Sequence, residues 1–269
     1  MALKIAGITR YSVIAERSFA ATRGLDENTA RKVVWRPERL AHREQLFRAI
    51  ALPSLDALAR YEHFRHFILI SEDFPQPFKR ALEAMATSRA WLQIVEVGPQ
   101  GDFSSVNANI ANFVGEAKAF VFRLDDDDAL APAAYLDAVL SNAGCREGTV
   151  LSADEGYMIR PAWNGVSLVK ERIPFNSAGL GVYSHGPKVI SIHDLGNQNK
   201  IGAKGHPVIH ISGRLWLRSK HESSDTMMKS WKRWRYFPVS KASLERCLRD
   251  NFPGLDVGSV IDAIVTPVG

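Results

Sequence analysis

Apolar and polar positions alternate along the first half of the chain in a pattern that predicts strands and helices in turn. Short apolar runs typical of buried strands are separated by stretches in which apolar residues recur with helical spacing. The predicted strands cover residues 3–9, 66–70, 91–97 and 119–124, and the predicted helices cover 42–50, 77–86 and 107–114. This alternation is typical of an α/β fold with a mainly parallel central sheet flanked by helices.

The pattern changes in the second half of the chain. Pro132 predicts the start of a helix over 132–140, which strands over 149–152 and 157–160 follow. Residues 174–213 contain seven glycines among polar residues, which predicts a loop-rich C-terminal part. Residues 11–36 have no sustained period, so we predict a loop or a broken helix there.

Composition narrows the class of protein. Hydrophobic residues make up 46% and charged residues 23%, as in a soluble globular protein. Cys145 and Cys247 are the two cysteines, and without a CxxC motif they offer neither a disulfide framework nor a cysteine-rich zinc module. No stretch of about 20 apolar residues predicts a membrane span. We therefore expect a protein of the reducing cytoplasm.

Charge is distributed unevenly along the chain. The net charge is +5, but residues 200–250 hold twelve Lys or Arg against four Asp or Glu. Such a basic region indicates an anionic partner, which charge alone leaves open as a nucleotide phosphate, a nucleic acid or a membrane surface.

Four consecutive aspartates, 125–128, directly follow the predicted strand 119–124. Their mutual repulsion requires a compensating cation. In an extended backbone Asp125 and Asp127 would face the same side, which suits Mg²⁺ or Mn²⁺ bridging carboxylates to substrate phosphates. A solvated acidic turn or a helix N-cap is the alternative interpretation.

Three motifs together carry a resemblance to a known family. They are Arg-Leu-Asp-Asp-Asp-Asp-Ala-Leu at 123–130, Leu-Pro-Ser-Leu at 52–55 and Trp-Leu-Arg-Ser-Lys-His at 216–221. With the preceding strand and helix order, they resemble glycosyltransferases of the GT-A fold and, more narrowly, the bacterial putative rhamnosyltransferases. The resemblance implies one GT-A-like domain over 1–269, with a nucleotide-binding half, 1–130, and an acceptor half, 131–269.

The resemblance further implies metal-dependent transfer of a sugar, such as rhamnose, from a nucleoside-diphosphate donor to a bacterial surface glycan or lipid-linked precursor. Mn²⁺ or Mg²⁺ would be held by Asp125, Asp127 and His221, the leading candidate among the eight histidines. The donor would also be contacted by the side chains of Arg123, Asp126 and Lys220. His210 is expected to be a half-buried strand residue.

Further site residues are expected at the ends of other strands. By resemblance, Thr9, Arg10 and Asp73 would contact the nucleotide. Asp154 and Glu155 are candidates for the catalytic base that takes the proton from the acceptor hydroxyl, and a solvated hairpin turn is the alternative interpretation of this pair.

Cations and aromatic residues alternate over 227–237. This composition predicts contact with the acceptor or peripheral contact with the inner membrane face, although a helix that covers the sheet has the same spacing. Two other functions stay open. A sugar-nucleotide nucleotidyltransferase would need a glycine-rich loop after the first strand, where Gly7-Ile-Thr-Arg has one glycine. A non-enzymatic module binding nucleic acid or membrane would not explain the aspartates.

Overall fold

The computed structural model describes residues 2–14, 24–98, 104–186, 188–196, 198–224 and 236–267. The strands are β1 (Lys4–Arg10), β2 (Phe64–Ser71), β3 (Leu92–Val97), β4 (Lys118–Arg123), β5 (Ala129–Leu130), β6 (Val150–Pro161), β7 (Val166–Arg172), β8 (Gly181–His185) and β9 (Val208–Ser219). The α-helices are α1 (Glu27–Val34), α2 (Pro37–Leu46), α3 (Leu52–Leu58), α4 (Gln76–Thr87), α5 (Ser104–Val114), α6 (Pro132–Ser141), α7 (Lys241–Asn251) and α8 (Val257–Val265). A π-helical turn, Phe47–Ala51, joins α2 to α3.

The described strands form one mixed sheet in the order β3-β2-β1-β4-β8-β6-β9-β5, with β7 paired to β6. The four strands β3, β2, β1 and β4 are parallel, as the sequence predicts. β8 is antiparallel to both β4 and β6, and β9 is parallel to β6. The α/β class is confirmed. The carboxyl ends of β1, β4, β6 and β9 therefore point in the same direction.

Helices cover both faces of the sheet, and β4 lies between them. Phe120 and Phe122 pack on the face of α6 with Tyr135, whereas Val121 packs on the opposite face with Ile110 of α5. Successive strand residues point to opposite faces, so β4 is apolar on both sides. Each buried side chain of this size contributes about 1.5–3 kcal/mol. This packing fixes the position of β4 and therefore of the aspartates that directly follow it.

A separate hydrophobic cluster holds α7 and α8 against the helical layer. Leu248 of α7 and Val260 of α8 pack with Ile50 and with Leu217 of β9. Ser240 and Asp256 cap the two helices, since their side chains accept hydrogen bonds from backbone N–H groups in the first turn. This packing places α8 against α2.

The prediction of loops over 174–213 is wrong where strand β8 lies. Its first residue, Gly181, lies against the ring of Phe120, where a Cβ atom would come within 2.3 Å of the ring. The glycine that indicated a loop is therefore required for close packing of a central strand. β9 likewise begins inside the predicted loop region.

β6 is one continuous strand where the sequence predicts two. Asp154, Glu155 and Gly156 lie inside it at an irregularity in the pairing with β9, so the hairpin-turn interpretation of this pair is wrong. A Cβ atom on Gly156 would come within 2.2 Å of Trp216. As at Gly181, a glycine permits two strands to pack closely instead of ending one.

Two segments with predictions are described only in part, residues 11–36 and 227–237. Residues 11–36, predicted as a loop or broken helix, contain α1, which Asp26 caps. The basic aromatic stretch 227–237 lies outside the described residues except for Tyr236 and Phe237. Among described helices, none has the length and apolar character needed to cross a membrane.

Candidate active site

The four aspartates form a tight turn between β4 and β5. The backbone N–H of Asp128 donates to the carbonyl of Asp125 at 3.2 Å, which closes the turn. The expectation of an extended backbone over the aspartates is wrong, because the carboxylates of the adjacent residues Asp126 and Asp127 both contact Arg43. Asp126, Asp127 and Asp128 are buried, while the side chain of Asp125 is 33% exposed.

Three arginines supply positive charge to this turn. Arg43 of α2 donates to both carboxyl oxygens of Asp126, and its Nη1 lies 3.0 Å from Oδ2 of Asp127. Arg123 donates to Asp125 at 2.8 Å. Arg218 lies 3.4 Å from Asp128. The expected compensating cations are therefore in part side chains of the chain itself, and Asp126, predicted to bind the donor, is instead enclosed by Arg43.

These arginines keep Asp125 and the buried Asp127 ionised. Burial would raise the pKa of Asp125, but the charge of Arg123, its hydrogen bond to the carboxylate and the charge of Arg218 together lower that pKa to about 2. Burial would also raise the pKa of Asp127, and the charge of Arg43 and a hydrogen bond to His221 lower it instead. Both groups are carboxylates at neutral pH, which is the form that binds cations.

A buried chain of hydrogen bonds leads from Asp127 to α8. Nε2 of His221 lies 2.7 Å from Oδ2 of Asp127, and Nδ1 of His221 lies 3.0 Å from Oγ of Ser223. The same Oγ lies 2.8 Å from Nδ1 of His42, whose Nε2 lies 2.7 Å from the carbonyl oxygen of Ala263. Two histidines and one serine thus connect the aspartate turn to the last helix.

The hydrogen-bond chain consists of four contacts, but the Ser223 hydroxyl and the two neutral rings supply three hydrogens. The carbonyl of Ala263 and the carboxylate of Asp127 only accept, so Nε2 of His42 and Nε2 of His221 carry the ring hydrogens. The hydroxyl of Ser223 then donates to one of the two Nδ1 atoms, and its contact with the other ring lacks a hydrogen. Burial lowers the pKa of His221 to about 4, so protonation does not supply the fourth hydrogen at neutral pH.

Two possible ligands of a divalent cation, Asp127 and His221, are adjacent here. Carboxylate oxygen and neutral imidazole nitrogen are both ligands for Mn²⁺. The described residues contain no group of three or more His, Cys, Asp or Glu placed to hold a metal. The remaining ligands would then be substrate phosphates and water, which is usual for Mg²⁺. Asp127 and His221 are the residues that would hold the ion, with Asp125 beside them.

Several predicted and unpredicted residues gather around Asp125. Ser177 donates to it at 2.8 Å, and Arg123 also contacts Gln198 at 3.0 Å. Burial, followed by the charges of Arg123 and Arg10, holds the pKa of His193 well below its usual range. The structure therefore brings the predicted residues Arg10, Arg123 and Asp125 together.

Thr9 and Asp73 are not among the residues that gather around Asp125. Thr9 is fully buried, donates to the carbonyl of Leu124 at 2.7 Å and lies 2.8 Å from Nε2 of His66. Its side chain joins β1, β2 and the end of β4, so it is a structural residue instead of the predicted nucleotide contact. Asp73 pairs with Arg31 at a small cleft of about 140 Å³ beyond the ends of β2 and β3.

Lys220 follows β9 close to the aspartates. Burial and then the charge of Arg218 lower the pKa of Lys220, while the carboxylates of Asp128 and Asp127 act in the opposite direction. Its backbone N–H donates to the carbonyl of Ile159 at 2.8 Å, which fixes it to β6. Lys220 therefore lies near the aspartate turn, and its contact with the donor stays a prediction.

Asp154 is enclosed in a polar cluster on β6. Ser152 Oγ donates to it at 2.7 Å, Nδ1 of His210 lies 3.0 Å from its Oδ2, and Arg172 lies 3.5 Å from the same oxygen. Asp154 is buried, whereas half of the His210 side chain is exposed. Glu155 is half-buried and has no hydrogen bond to this cluster among the described residues.

Sequence reasoning missed Arg43, His42 and Ser223. The signal for Arg43 was the charge of the aspartates, since four adjacent carboxylates in a fold require several cations. Arg43 and His42 are polar residues on a helix whose neighbours Leu40, Leu46 and Phe47 are fully buried. Their position beside apolar residues was the second available signal.

Comparisons with known proteins place the chain in a family. Residues 4–233 match the family described as "Putative rhamnosyl transferase". No curated protein matches the chain. S. aureus TarS 1-349 is similar in structure with 13% identity and a TM-score of 0.40 over 81% of this chain, which spans about 60% of that one. The inositol-1-phosphate CTP transferase of T. maritima has 14% identity and a TM-score of 0.38 over 85% of this chain and 94% of its own.

The two structural likenesses are too remote to carry an argument. The family match does carry an argument, because it covers most of the chain, and its range includes the aspartate turn and His221. The chain is therefore a glycosyltransferase that belongs to the putative rhamnosyl transferase family.

Proposed function

We propose that the chain transfers a sugar from a nucleoside-diphosphate donor to a hydroxyl group of a glycan or lipid-linked acceptor, with Mn²⁺ or Mg²⁺ bound at Asp127 and His221. One observation carries the metal part of this proposal. Nε2 of His221 lies 2.7 Å from the carboxylate of Asp127, and Oγ of Ser223 can accept the ring hydrogen at Nδ1 when Nε2 binds the ion instead.

The surrounding residues suit a diphosphate. Arg10, Arg123 and Lys220 carry positive charge near the aspartates and would bind and orient the phosphate oxygens. Asp125 keeps an exposed carboxylate that can accept a hydrogen bond from a ribose hydroxyl. The divalent ion, when bound, acts as a Lewis acid that neutralises negative charge on the leaving diphosphate.

Rhamnose is the sugar that the family description names, and we propose it as the transferred group. A panel of nucleoside-diphosphate sugars tests this choice. The enzyme is incubated with each donor, and release of the nucleoside diphosphate is measured. We expect fastest turnover with a rhamnose donor. Faster turnover of a hexose donor such as glucose would contradict the choice of sugar but not the reaction class.

Binding of nucleoside diphosphates with and without Mn²⁺ tests the site directly. After dialysis against EDTA, thermal unfolding is measured with UDP, dTDP, GDP or CDP, alone and with MnCl₂. A ligand at 100 times its Kd stabilises a protein by about 2.7 kcal/mol, and a stabilisation of this size raises Tm by about 5–10 °C. Equal shifts in EDTA would contradict the metal site. No shift with any nucleotide would contradict the function.

We also propose that the basic aromatic stretch 227–237 brings the enzyme to the membrane surface that carries its acceptor. In its described part, Phe237 is 88% exposed, and the guanidinium of Arg160 lies 3.6 Å from the ring centre of Tyr236. Trp163, in the turn after β6, is also exposed. Exposed aromatic rings beside cations are typical of interfacial contact.

Co-sedimentation with vesicles tests the membrane contact. We expect binding to phosphatidylglycerol vesicles, weaker binding to phosphatidylcholine vesicles, and loss of binding in the Trp163→Ser, Phe237→Ser double variant. Val33→Ser, at another exposed apolar residue, is the control. Equal sedimentation of the double variant and the wild type would contradict this proposal.

A further inference from the structure

The polar cluster on β6 and β9 has the geometry of a carboxylate–histidine pair. Asp154 is buried, and His210 presents Nδ1 to its two oxygens at 3.0 and 3.1 Å. A carboxylate only accepts hydrogen bonds, so Nδ1 carries the hydrogen and Nε2 carries the lone pair. The side chain of His210 is 47% exposed. The ring therefore has its buried edge fixed and its basic nitrogen on the opposite edge.

Other groups hold the carboxylate in place. Ser152 Oγ donates to Oδ1 of Asp154 at 2.7 Å and accepts the backbone N–H of Phe175 at 2.8 Å. Arg172 of β7 lies 3.5 Å from Oδ2 with its side chain mostly exposed. The ring of Phe175 meets that of His210 edge-on at 5.4 Å. A carboxylate held in this way fixes the tautomer and stabilises the imidazolium that forms when the ring takes a proton.

This pair lies next to the donor side of the site. Ile173 N–H donates to the carbonyl of Asp154, and Ser177, four residues later, donates to Asp125. Four extended residues span at most ~14 Å. Asp154 pairs with His210 on the side of the sheet where Val150 and Val208 pack against Leu180 and Ile201. One short segment, hydrogen-bonded to Asp154 at Ile173 and to Asp125 at Ser177, therefore connects the pair to the donor side of the site.

We propose that His210, oriented by Asp154, is the base that accepts the proton of the acceptor hydroxyl. This inference rests on the proposed function. As the acceptor oxygen bonds to the anomeric carbon, its O–H bond breaks and the proton moves to Nε2 of His210. The bond from that carbon to the diphosphate oxygen breaks, and its electron pair leaves with the nucleoside diphosphate. The imidazolium then releases its proton to water.

The inference assigns new roles to two residues. Asp154, expected from the sequence to be the base itself, is a positioning residue that acts through the ring. His210, expected to be a half-buried strand residue, is the catalytic residue. A buried carboxylate with three partners cannot approach a bulky acceptor, whereas the half-exposed ring of His210 can.

Substitution of His210 combined with imidazole rescue tests the inference. The measurement is release of nucleoside diphosphate from the donor that the wild type turns over fastest, with water as the acceptor. For His210→Ala we expect kcat to fall about 10²–10⁴-fold, the usual contribution of a general base. We expect Kd for the nucleoside diphosphate to stay within twofold, and imidazole in the buffer to raise kcat at least tenfold. His206→Ala, a nearby histidine of the same chain segment, should be unchanged.

Two further variants keep the test decisive. In His210→Asn the side-chain amide can still donate to Asp154, so this variant should fold and lack activity even if His210→Ala does not fold. Asp154→Asn should lose kcat without rescue by imidazole. If folded His210→Ala keeps more than a fifth of its kcat, or loses kcat with no rescue, the base lies elsewhere. If the wild type turns over no donor, the proposed function fails instead.

Discussion

Arg43 on α2 binds both carboxyl oxygens of Asp126, a residue 83 positions later, in a pair that is buried from solvent. The pair joins the helical layer to the turn that follows β4. Without Asp126 the buried guanidinium loses two of its hydrogen bonds to carboxylates and keeps the one to Asp127, and buried groups left without partners are costly. Asp126 therefore matters for folding before it matters for any ligand.

We expect Asp126→Ala to lower the free energy of unfolding by about 3 kcal/mol, the low end of the cost of breaking a buried ion pair, because Asp127 still pairs with Arg43. Urea denaturation measures it. Asp73→Ala is the matched control, because Asp73 forms an exposed pair with Arg31 and exposed pairs contribute about 0–1 kcal/mol. Equal destabilisation by both substitutions would contradict the structural role of the Arg43–Asp126 pair.

Asp127→Asn should remove Mn²⁺-dependent nucleotide binding with little change of shape. The amide keeps the size of the carboxylate but loses the charge that a divalent cation requires. Isothermal titration of the nucleoside diphosphate with MnCl₂ present should give an affinity at least 100-fold weaker. Asp137→Asn, an exposed aspartate of α6, should bind like the wild type. Retained metal dependence in Asp127→Asn would move the ion to other residues.

His42→Ala should weaken Mn²⁺ binding although His42 lies two hydrogen bonds away from His221. Outer partners fix the orientation and tautomer of a metal-binding histidine, and their loss reduces metal affinity about 10–100-fold. Titration of Mn²⁺ followed by electron paramagnetic resonance measures this affinity without catalysis. His63→Ala, a more exposed histidine, is the control. Lower stability with unchanged Mn²⁺ affinity would limit His42 to a packing role.

Stability should fall as the pH decreases below about 6.5 because of His66. Burial lowers the pKa of this ring to about 3, so the unfolded chain binds a proton that the native chain excludes. The native state thus loses about 1.4 kcal/mol per pH unit between pH 6.5 and 3. His66→Gln can still donate to Thr9 and should show a shallower dependence in urea denaturation between pH 6.5 and 4. Parallel curves for the two proteins would contradict this origin.

The location of the site could be predicted from the sequence because its signal is local. An apolar strand that runs directly into four aspartates marks the carboxyl end of β4, and the structure confirms that position. The partner of each aspartate could not be predicted in this way. Arg43 and Arg218 are distant in sequence from the aspartates, and no periodicity of α2 or β9 distinguishes a buried arginine from a solvated one.

The glycines of the second half illustrate a different limit. Glycine is typical of loops, but Gly181 and Gly156 each lie in a strand. At each position a neighbouring aromatic ring occupies the space of a side chain. Single-sequence reasoning assigns glycine to turns because its backbone is permissive. It cannot detect a glycine that is required by the size of a residue on another strand.

The hydrogen bond at the carbonyl of Ala263 predicts the order in which the enzyme loses activity and structure on heating. The carbonyl belongs to α8, a nine-residue helix, and it fixes the first ring of the chain that ends at Asp127. Short helices at the margin of a fold open locally at a lower free energy than central strands. Opening of α8 would release His42 and then His221 while the nine strands remain paired. Thermal inactivation would therefore precede the loss of the sheet, and a substrate that orders the aspartate turn would protect the last helix from proteolysis.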